Sequence, residues 1–134
     1  MRIMIDTNII ISAVLFPNGK VAQAFRKAIL PPYHPMICDY ILDELHRKFR
    51  EKFPNRATEL DAFLYHALAW IQVVQTPQLE NEQEFRIRDA KDRPILRAAL
   101  HEHADLFLTG DKDFLESSID DPRIIGVPEF LAME

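Results

Sequence analysis

Three apolar runs in this chain lie directly beside aspartates, and carboxylates in that pattern could bind a metal ion. Residues 3–5 lead into Asp6, residues 106–108 lead towards Asp111 and Asp113, and Asp92 opens the apolar segment 93–100. In a parallel sheet, the carboxyl ends of the strands border the crevice where open α/β folds bind ligands. Several carboxylates gathered there would repel one another unless a divalent cation lay between them. A metal site is therefore the first hypothesis.

Asp6 and Glu44 are the candidate ligands from the first half of the chain. Asp6 follows a wholly apolar strand, so its backbone should be held rigidly, although an aspartate there could instead cap the segment that begins at Thr7. Glu44 lies at the border of a helical apolar stripe formed by Ile41 and Leu45. That helix begins at the end of the second strand, so Glu44 should lie near Asp6 if the two strands are neighbours.

The second half of the chain supplies Asp92 and Asp111. Asp92 precedes an Arg-Pro pair and could be a helix N-cap, yet it shares a helix face with apolar residues and could point along the sheet. Asp111 comes first after a glycine turn and is the better ligand, whereas Asp113 could cap a helix or reach the metal through water. Asp89 reads as a loop residue. The Thr109 hydroxyl could orient one of these carboxylates.

The elements that must position these acids alternate between strand and helix. Strands are predicted at residues 2–6, 35–38, 70–74, 106–109 and 124–127. Helices are predicted at residues 20–30, from Asp39 as N-cap to about 49, from 55 or 58 to 68, at 92–103, at 111–118 and after Pro128. Residues 75–91 read as a long loop with some local structure, a kind of segment that is often functional. This alternation predicts one domain over residues 1–134, a three-layer α/β/α sandwich around a parallel sheet.

Composition favours a small cytoplasmic domain with one core. The chain has 134 residues, 48% of them hydrophobic, and a single cysteine, Cys38, which fits a reducing compartment. We find no apolar run long enough for a membrane span and no signal-peptide pattern. The net charge of −5 argues against a broad basic nucleic-acid surface, but two local basic clusters occur. They comprise Arg47, Lys48, Arg50 and Lys52, and then Arg86, Arg88, Lys91, Arg93 and Arg97.

Taken in order, four of these pieces resemble a PIN domain of the branch that supplies the toxins of toxin–antitoxin pairs. They are Asp6-Thr7-Asn8 after an apolar strand, Glu44 within residues 41–45, Asp92 heading an apolar helix, and the segment 109–114 with Asp111. The resemblance covers about residues 2–130. It implies a five-stranded parallel sheet between helices and a metal-dependent ribonuclease. One departure is Cys38-Asp39, where relatives often have a serine before the helix, and this affects capping rather than catalysis.

The resemblance also implies roles for individual residues. The catalytic and metal-binding acids would be Asp6, Glu44, Asp92 and Asp111, with Asp113 as an additional acid, while Asn8 and Thr109 would support them. Carboxylate and water ligands suit Mg²⁺ or Mn²⁺, which could activate water for in-line attack on an RNA phosphodiester. Arg93 or Lys112 could contact phosphate. Expected partners are an RNA substrate, a cognate antitoxin and a second copy of the chain, without a membrane.

Other functions fit the residues less well. A phosphatase with an aspartate nucleophile on the first strand would need a second acid two residues later, where this chain has Asn8, and a phospho-accepting receiver domain would need paired acids near that strand end. His101 and His103 point apart on a helix, which disfavours zinc. The main alternative is a protein- or RNA-binding module with little nuclease activity, using helices 20–30 and 55–68 as partner or dimer surfaces.

Overall fold

The computed structural model describes residues 1–133 and contains one five-stranded sheet in which every pairing is parallel. The strands are β1 (Arg2–Ile5), β2 (His34–Cys38), β3 (Gln72–Val74), β4 (Leu106–Leu108) and β5 (Arg123–Ile125), in the spatial order β3-β2-β1-β4-β5. The predicted α/β architecture and its five parallel strands are confirmed.

Within residues 1–133, seven α-helices connect and cover these strands. They are α1 (Thr7–Leu15), α2 (Lys20–Ala28), α3 (Asp39–Lys52), α4 (Ala57–Ala67), α5 (Arg93–His101), α6 (Lys112–Leu115) and α7 (Val127–Ala132). Single turns of 3₁₀ helix lie at Pro54–Arg56 and Glu82–Arg86. Within the described residues, no helix has both the length and the apolar character that a membrane span requires.

The core sits on the central strands. Ile3, Met4 and Ile5 of β1 are fully buried, as are all three residues of β4 to within 1%. A strand that is buried on both faces has no polar side, which explains why its sequence is a continuous apolar run rather than an alternating one. The sheet is therefore rigid where the aspartates follow it.

The strand order creates a crevice at the end of β1. From β1 the chain moves outward through β2 to β3, and it then returns to the other side of β1 to form β4 and β5. The connections therefore diverge between β1 and β4, and such a switch point is where open α/β sheets bind ligands. Asp6 and Thr109 follow these two strands directly.

Two local predictions need correction. Asp39 does not cap α3, because Cys38 occupies the N-cap position and the Asp39 carboxylate instead accepts hydrogen bonds from the backbone N–H and hydroxyl of Thr76, at 2.8 and 2.6 Å. The helix α1 was not among the predicted helices. The local structure expected within the loop 75–91 is the 3₁₀ turn Glu82–Arg86, which Asn81 caps.

Candidate functional site

Asp6 is fixed by three hydrogen bonds at the end of β1. Its backbone N–H donates to the Leu108 carbonyl at 3.0 Å, which continues the β1–β4 ladder by one residue. Its carboxylate accepts from the Thr7 backbone N–H at 2.8 Å and from the Thr109 hydroxyl at 2.7 Å. Asp6 therefore caps α1 and borders the crevice at the same time, so the capping alternative does not compete with a functional role.

Asp92 occupies the N-cap position of α5 without capping it. Its side chain makes no capping hydrogen bond, and within the described chain no hydrogen bond or ion pair involves its carboxylate. The backbone of this N-cap residue is helical (φ −90°, ψ −15°) rather than extended as at Asp6, although extended geometry is what N-caps typically adopt. The Asp92 carboxylate is thus free to bind a ligand.

The helix-capping role predicted as an option for Asp113 is taken by Asp111. Asp111 caps α6, since its carboxylate accepts from the Asp113 backbone N–H at 2.9 Å. The Thr109 hydroxyl accepts from the Asp111 backbone N–H at 3.0 Å. Asp113 lies 3.7 Å from Nε of Arg88. Oxygens of Asp92, Asp111 and Asp113 all lie within 4.8 Å of one another.

Glu44 reaches the same crevice from α3. Glu44 is 5% exposed, and its carboxylate lies 3.7 Å from the Arg47 guanidinium and 4.0 Å from the Lys48 ammonium. Because β1 and β2 are paired, the helix that follows β2 starts beside Asp6, as the sequence predicted. Glu44 and Asp92 also line a cleft of about 520 Å³ between α3 and residues 89–92.

The acids share one electrostatic environment. Burial is the main cause that raises the pKa of Asp6 from 3.8 to about 6; hydrogen bonds from Thr109 and Thr7 oppose it, and the negative charges of Glu44 and Asp111 add to it. Burial likewise raises the pKa of Asp92 to about 7, with further contributions, largest first, from Asp6, Asp111, Asp89 and Glu44. The charges of Asp6, Glu44 and Asp111 therefore all act on Asp92.

This donor set fits a hard divalent cation. Asp92, Asp111 and Asp113 offer only carboxylate oxygens, close enough together to bind one ion, and no histidine or cysteine joins them among the described residues. Such ligands suit Mg²⁺ or Mn²⁺ rather than zinc. A bound cation would also offset the repulsion that raises the pKa of Asp92. Asp6 and Glu44 stand outside this closest group.

The remaining predicted residues fall into two groups. Asn8 and Lys112 are exposed in the first turns of α1 and α6, and in the described part of the chain the Asn8 side chain makes no hydrogen bond. Arg93 donates from Nε to the Ile87 carbonyl at 3.0 Å and lies 5.2 Å from the centroid of the Phe85 ring, so it is committed to the loop. Asp89 accepts from the Lys91 N–H at 3.0 Å and forms a local turn.

Sequence reasoning missed the buried ion pair that holds the loop 75–91. Glu84 is 1% exposed and binds Arg97 through two hydrogen bonds of 2.8 and 2.9 Å, while Arg97 also donates to the Pro77 carbonyl at 2.9 Å. Arg97, a member of the second basic cluster in the sequence, therefore has a structural role. The signal lay in Asn81 and Glu84, whose spacing is that of a capping box, which the structure contains.

Tyr40 is a second residue that the sequence did not single out. Its hydroxyl donates to the Lys91 carbonyl at 2.6 Å and so ties α3 to the residue before Asp92. Together with the hydrogen bonds of Arg97, this bond fixes both ends of the segment that enters α5. The position of Asp92 therefore depends on side chains from two helices.

Comparison with known proteins gives a family and two solved structures of the same fold. The family model described as the PIN domain matches residues 2–113. VapBC2 from Rickettsia felis, solved bound to a DNA fragment from their promoter, superposes with a TM-score of 0.70 at 17% identity, covering 94% of this chain and 98% of that one. FitAB bound to an IR36 DNA fragment gives 0.67 at 16% identity, covering 93% and 94%. No curated protein sequence matches the chain.

Proposed function

The chain belongs to the PIN domain family, and we propose that it is a Mg²⁺- or Mn²⁺-dependent endoribonuclease, the toxin of a toxin–antitoxin pair. PIN domains are generally nucleases and generally use divalent metals. One observation carries the proposal: Asp6, Glu44, Asp92 and Asp111 meet at the carboxyl end of the sheet, where the charges of the other three acids add to the raised pKa of Asp92. Ionising such a cluster is unfavourable unless cations lie between the acids.

Each acid has a distinct part in this proposal. Asp92 and Asp111, with Asp113, would hold the ion directly, while Asp6 and Glu44 would bind it through water or hold a second ion. When bound, such ions activate water for in-line attack on phosphorus and stabilise charge on the leaving oxygen. The single hydroxyl of Thr109 bonds both the Asp6 carboxylate and the Asp111 backbone N–H and so fixes these two residues relative to each other. The reaction requires no nucleophilic side chain.

The resemblance to the toxin branch of the family supports RNA as the substrate, and the same resemblance together with an apolar groove supports an antitoxin as a partner. Both fold relatives, VapBC2 and FitAB, were solved as complexes with DNA fragments. In addition, an open groove of about 380 Å³ between α1, α2 and α4 has a mostly apolar lining. Its rim includes Trp70, whose residue is 65% exposed, and its floor includes Phe25 and Ala22. A groove of this kind could receive an apolar segment of an antitoxin.

The proposal is tested by neutralising one acid of the cluster. Asp92→Asn keeps the size of the side chain and removes a charge that no protein group pairs, so the variant should fold and lose at least about a hundredfold in cleavage of RNA with Mg²⁺ or Mn²⁺. Asp43→Asn, an exposed acid on α3, is the matched control and should cleave like the wild type. DNA of the same sequence tests the choice of RNA. Cleavage that survives Asp92→Asn would contradict the assignment.

The alternative function is a binding module, and the apolar groove favours it. Trp70, Phe16 and Tyr65 are each more than 60% exposed, which is unusual for large apolar side chains that serve only a core. If the purified protein binds RNA or a partner protein but cleaves nothing in Mg²⁺ or Mn²⁺, this function replaces the nuclease.

We also propose a homodimer in the cytoplasm, with the exposed side of α4 around Tyr65 as the contact. Light scattering tests that dimer.

A further inference from the structure

A cleft beside the acid cluster brings four basic residues to face it. The cleft has a volume of about 520 Å³ and is lined by Glu44, Arg47, Lys48, Glu51, Lys52, Asp89, Lys91 and Asp92. One wall is a face of α3, where residues three and four apart lie side by side. The other wall is the segment 89–92, whose backbone Tyr40 and the Asp89 turn hold in place. The cleft therefore has fixed walls and opens directly onto Asp92.

The charge of this cleft depends on what the acids bind. Arg47, Lys48, Lys52 and Lys91 balance four acids in the lining, so without a cation the sum is zero. Two of those acids, Glu44 and Asp92, belong to the proposed metal site, and a single divalent ion would make the cleft positive by two. The distances of Arg47 and Lys48 to Glu44, 3.7 and 4.0 Å, are long for ion pairs. These two cations are thus held weakly and can turn to another anion.

We propose that this cleft, here named the α3 cleft, binds the phosphate backbone of the RNA strand next to the cleaved bond. This inference rests on the proposed nuclease function and adds the path of the substrate: the strand leaves the metal site along α3, past Arg47, Lys48 and Lys52. On the α6 side of the site, Lys112 and Arg88 balance the acids Asp113 and Glu116, and Arg88 lies 3.7 Å from the Asp113 carboxylate.

The lining also determines the kind of recognition. Among the described residues that line the α3 cleft, none is aromatic, so the cleft lacks the stacking surfaces on which proteins hold unpaired bases. Lys and Arg contacts to phosphate carry affinity without reading sequence. The α3 cleft should therefore bind any single-stranded RNA of sufficient length with similar strength, and any cleavage-site preference must come from elsewhere.

The test is a matched pair of double variants. Arg47→Gln with Lys52→Gln removes two cleft charges, and neither residue is among the proposed metal ligands. The control, Arg50→Gln with Lys20→Gln, removes the same two charges from exposed positions outside the cleft, one of them on the same helix. Binding is measured by fluorescence anisotropy with labelled single-stranded oligo(U) and oligo(A) RNA in Ca²⁺, which takes oxygen ligands. A gel verifies that the RNA stays intact.

The cleft variant should bind both RNAs at least tenfold more weakly, and the slope of its salt dependence should fall by about 0.7 for each phosphate that the cleft no longer neutralises. The control should stay within twofold of the wild type. Any of four results would overturn the proposal that the α3 cleft binds RNA. They are equal weakening in both double variants, no weakening in the cleft variant, a loss of affinity confined to one RNA, and a wild type that does not bind RNA.

Cleavage of the same RNAs in Mn²⁺ separates the two proposals. If the wild type binds RNA through Arg47 and Lys52 but never cleaves it, the nuclease function fails and the α3 cleft is supported. If the wild type cleaves RNA and both double variants bind and cleave equally well, the nuclease function is supported and the α3 cleft is wrong. The two results cannot be confused, because binding and cleavage are measured independently.

Discussion

Thr109 is the residue that joins the two strand ends of the site. Its hydroxyl donates to the Asp6 carboxylate at 2.7 Å and accepts from the Asp111 backbone N–H at 3.0 Å, and the residue is fully buried. A hydroxyl can play both parts at once because it is a donor and an acceptor. Groups that orient metal ligands in this way matter nearly as much as the ligands.

Replacement of Thr109 by Val should therefore damage the site while preserving the shape of the core. Valine cannot hydrogen-bond, so Asp6 would lose a donor and the Asp111 N–H its acceptor, at a cost of about 1–3 kcal/mol in unfolding free energy. We expect metal affinity or cleavage to fall about 10- to 100-fold. Titration calorimetry with Mn²⁺ and urea unfolding measure the two effects. Thr109→Ser keeps the hydroxyl and should retain most of the metal affinity; equal losses in both variants would contradict this role.

The raised pKa of Asp92 predicts how the stability of the metal-free protein changes with pH. Because the pKa is about 7 in the folded state and about 3.9 in an unfolded chain, the folded protein binds more protons between those values. The contribution of Asp92 to the free energy of unfolding is then most favourable below pH 4 and falls as the pH rises towards 7. Asp92→Asn removes the charge, so in EDTA it should stabilise the protein at pH 8 by about 1 kcal/mol or more, and little at pH 4.5. The magnitude is discounted because Asp92 is partly solvated.

Urea unfolding in EDTA at both pH values measures this difference. Asp43→Asn serves as the control, since Asp43 is exposed and is not among the acids whose charges act on Asp92, and it should change stability equally little at either pH. A variant Asp92→Asn that is no more stable than the wild type at pH 8 would show that burial and the neighbouring acids do not destabilise the Asp92 carboxylate. Saturating Mn²⁺ should reverse the order of stability at pH 8, because only the wild type keeps the full set of ligands.

At the level of elements, the sequence predicted the sheet and the acids that follow it. Short apolar runs suit buried parallel strands, and an aspartate directly after such a strand has little freedom in where it can lie. A short apolar run can equally be a buried helix, as residues 8–15 are in α1. Glu44 required the further condition that β1 and β2 are neighbours, which the sheet order meets. The five strands and the helices other than α1 were therefore within reach of pattern reasoning.

The loop 75–91 was beyond such reasoning because long-range side-chain interactions determine its form. The spacing of Asn81 and Glu84 indicates a capping box, but it does not indicate that Glu84 is buried, since that depends on the ion pair with Arg97 from α5. Similarly, local sequence does not determine whether Asp111 or Asp113 caps α6, since both positions suit an aspartate. Interactions across the fold settle both questions.

The ion pair between Glu84 and Arg97 should be essential to this loop. Arg97→Met would leave Glu84 buried without a partner, which typically costs about 3–5 kcal/mol when a buried pair is broken. Urea unfolding measures this change in stability. In the variant, hydrogen exchange in residues 77–91 should become faster than in the wild type, because Arg97 also holds the Pro77 carbonyl. Exchange in β1 should change less.

A second variant separates the effect of the unpaired charge from that of the missing hydrogen bonds. In Arg97→Met with Glu84→Gln, the buried group is neutral and can still accept from the Asn81 N–H, so much of the stability should return. If Arg97→Met costs less than about 1 kcal/mol and leaves exchange in residues 77–91 unchanged, the ion pair does not hold the loop.

On the scale of the whole molecule, charge and function are in apparent conflict. The chain has a net charge of −5, and its acids cluster at the point where the proposed reaction would bring a phosphate. Cations bound at the proposed metal site would resolve the conflict, because they would add positive charge at that point and leave the basic residues of the α3 cleft in excess. RNA binding by this protein should thus require the metal before any bond is broken.

The last prediction follows from that requirement. At constant ionic strength, EDTA should weaken binding of single-stranded RNA to the wild type at least tenfold relative to Ca²⁺, as measured by anisotropy. Asp92→Asn with Asp111→Asn should cleave nothing, yet in EDTA it should bind RNA more tightly than the wild type does, because two repelling charges are gone. Asparagine can still cap α6 at position 111, so the fold should survive. A wild type that binds RNA equally well in EDTA and Ca²⁺ would show that the acids neither repel the substrate nor need a cation to admit it.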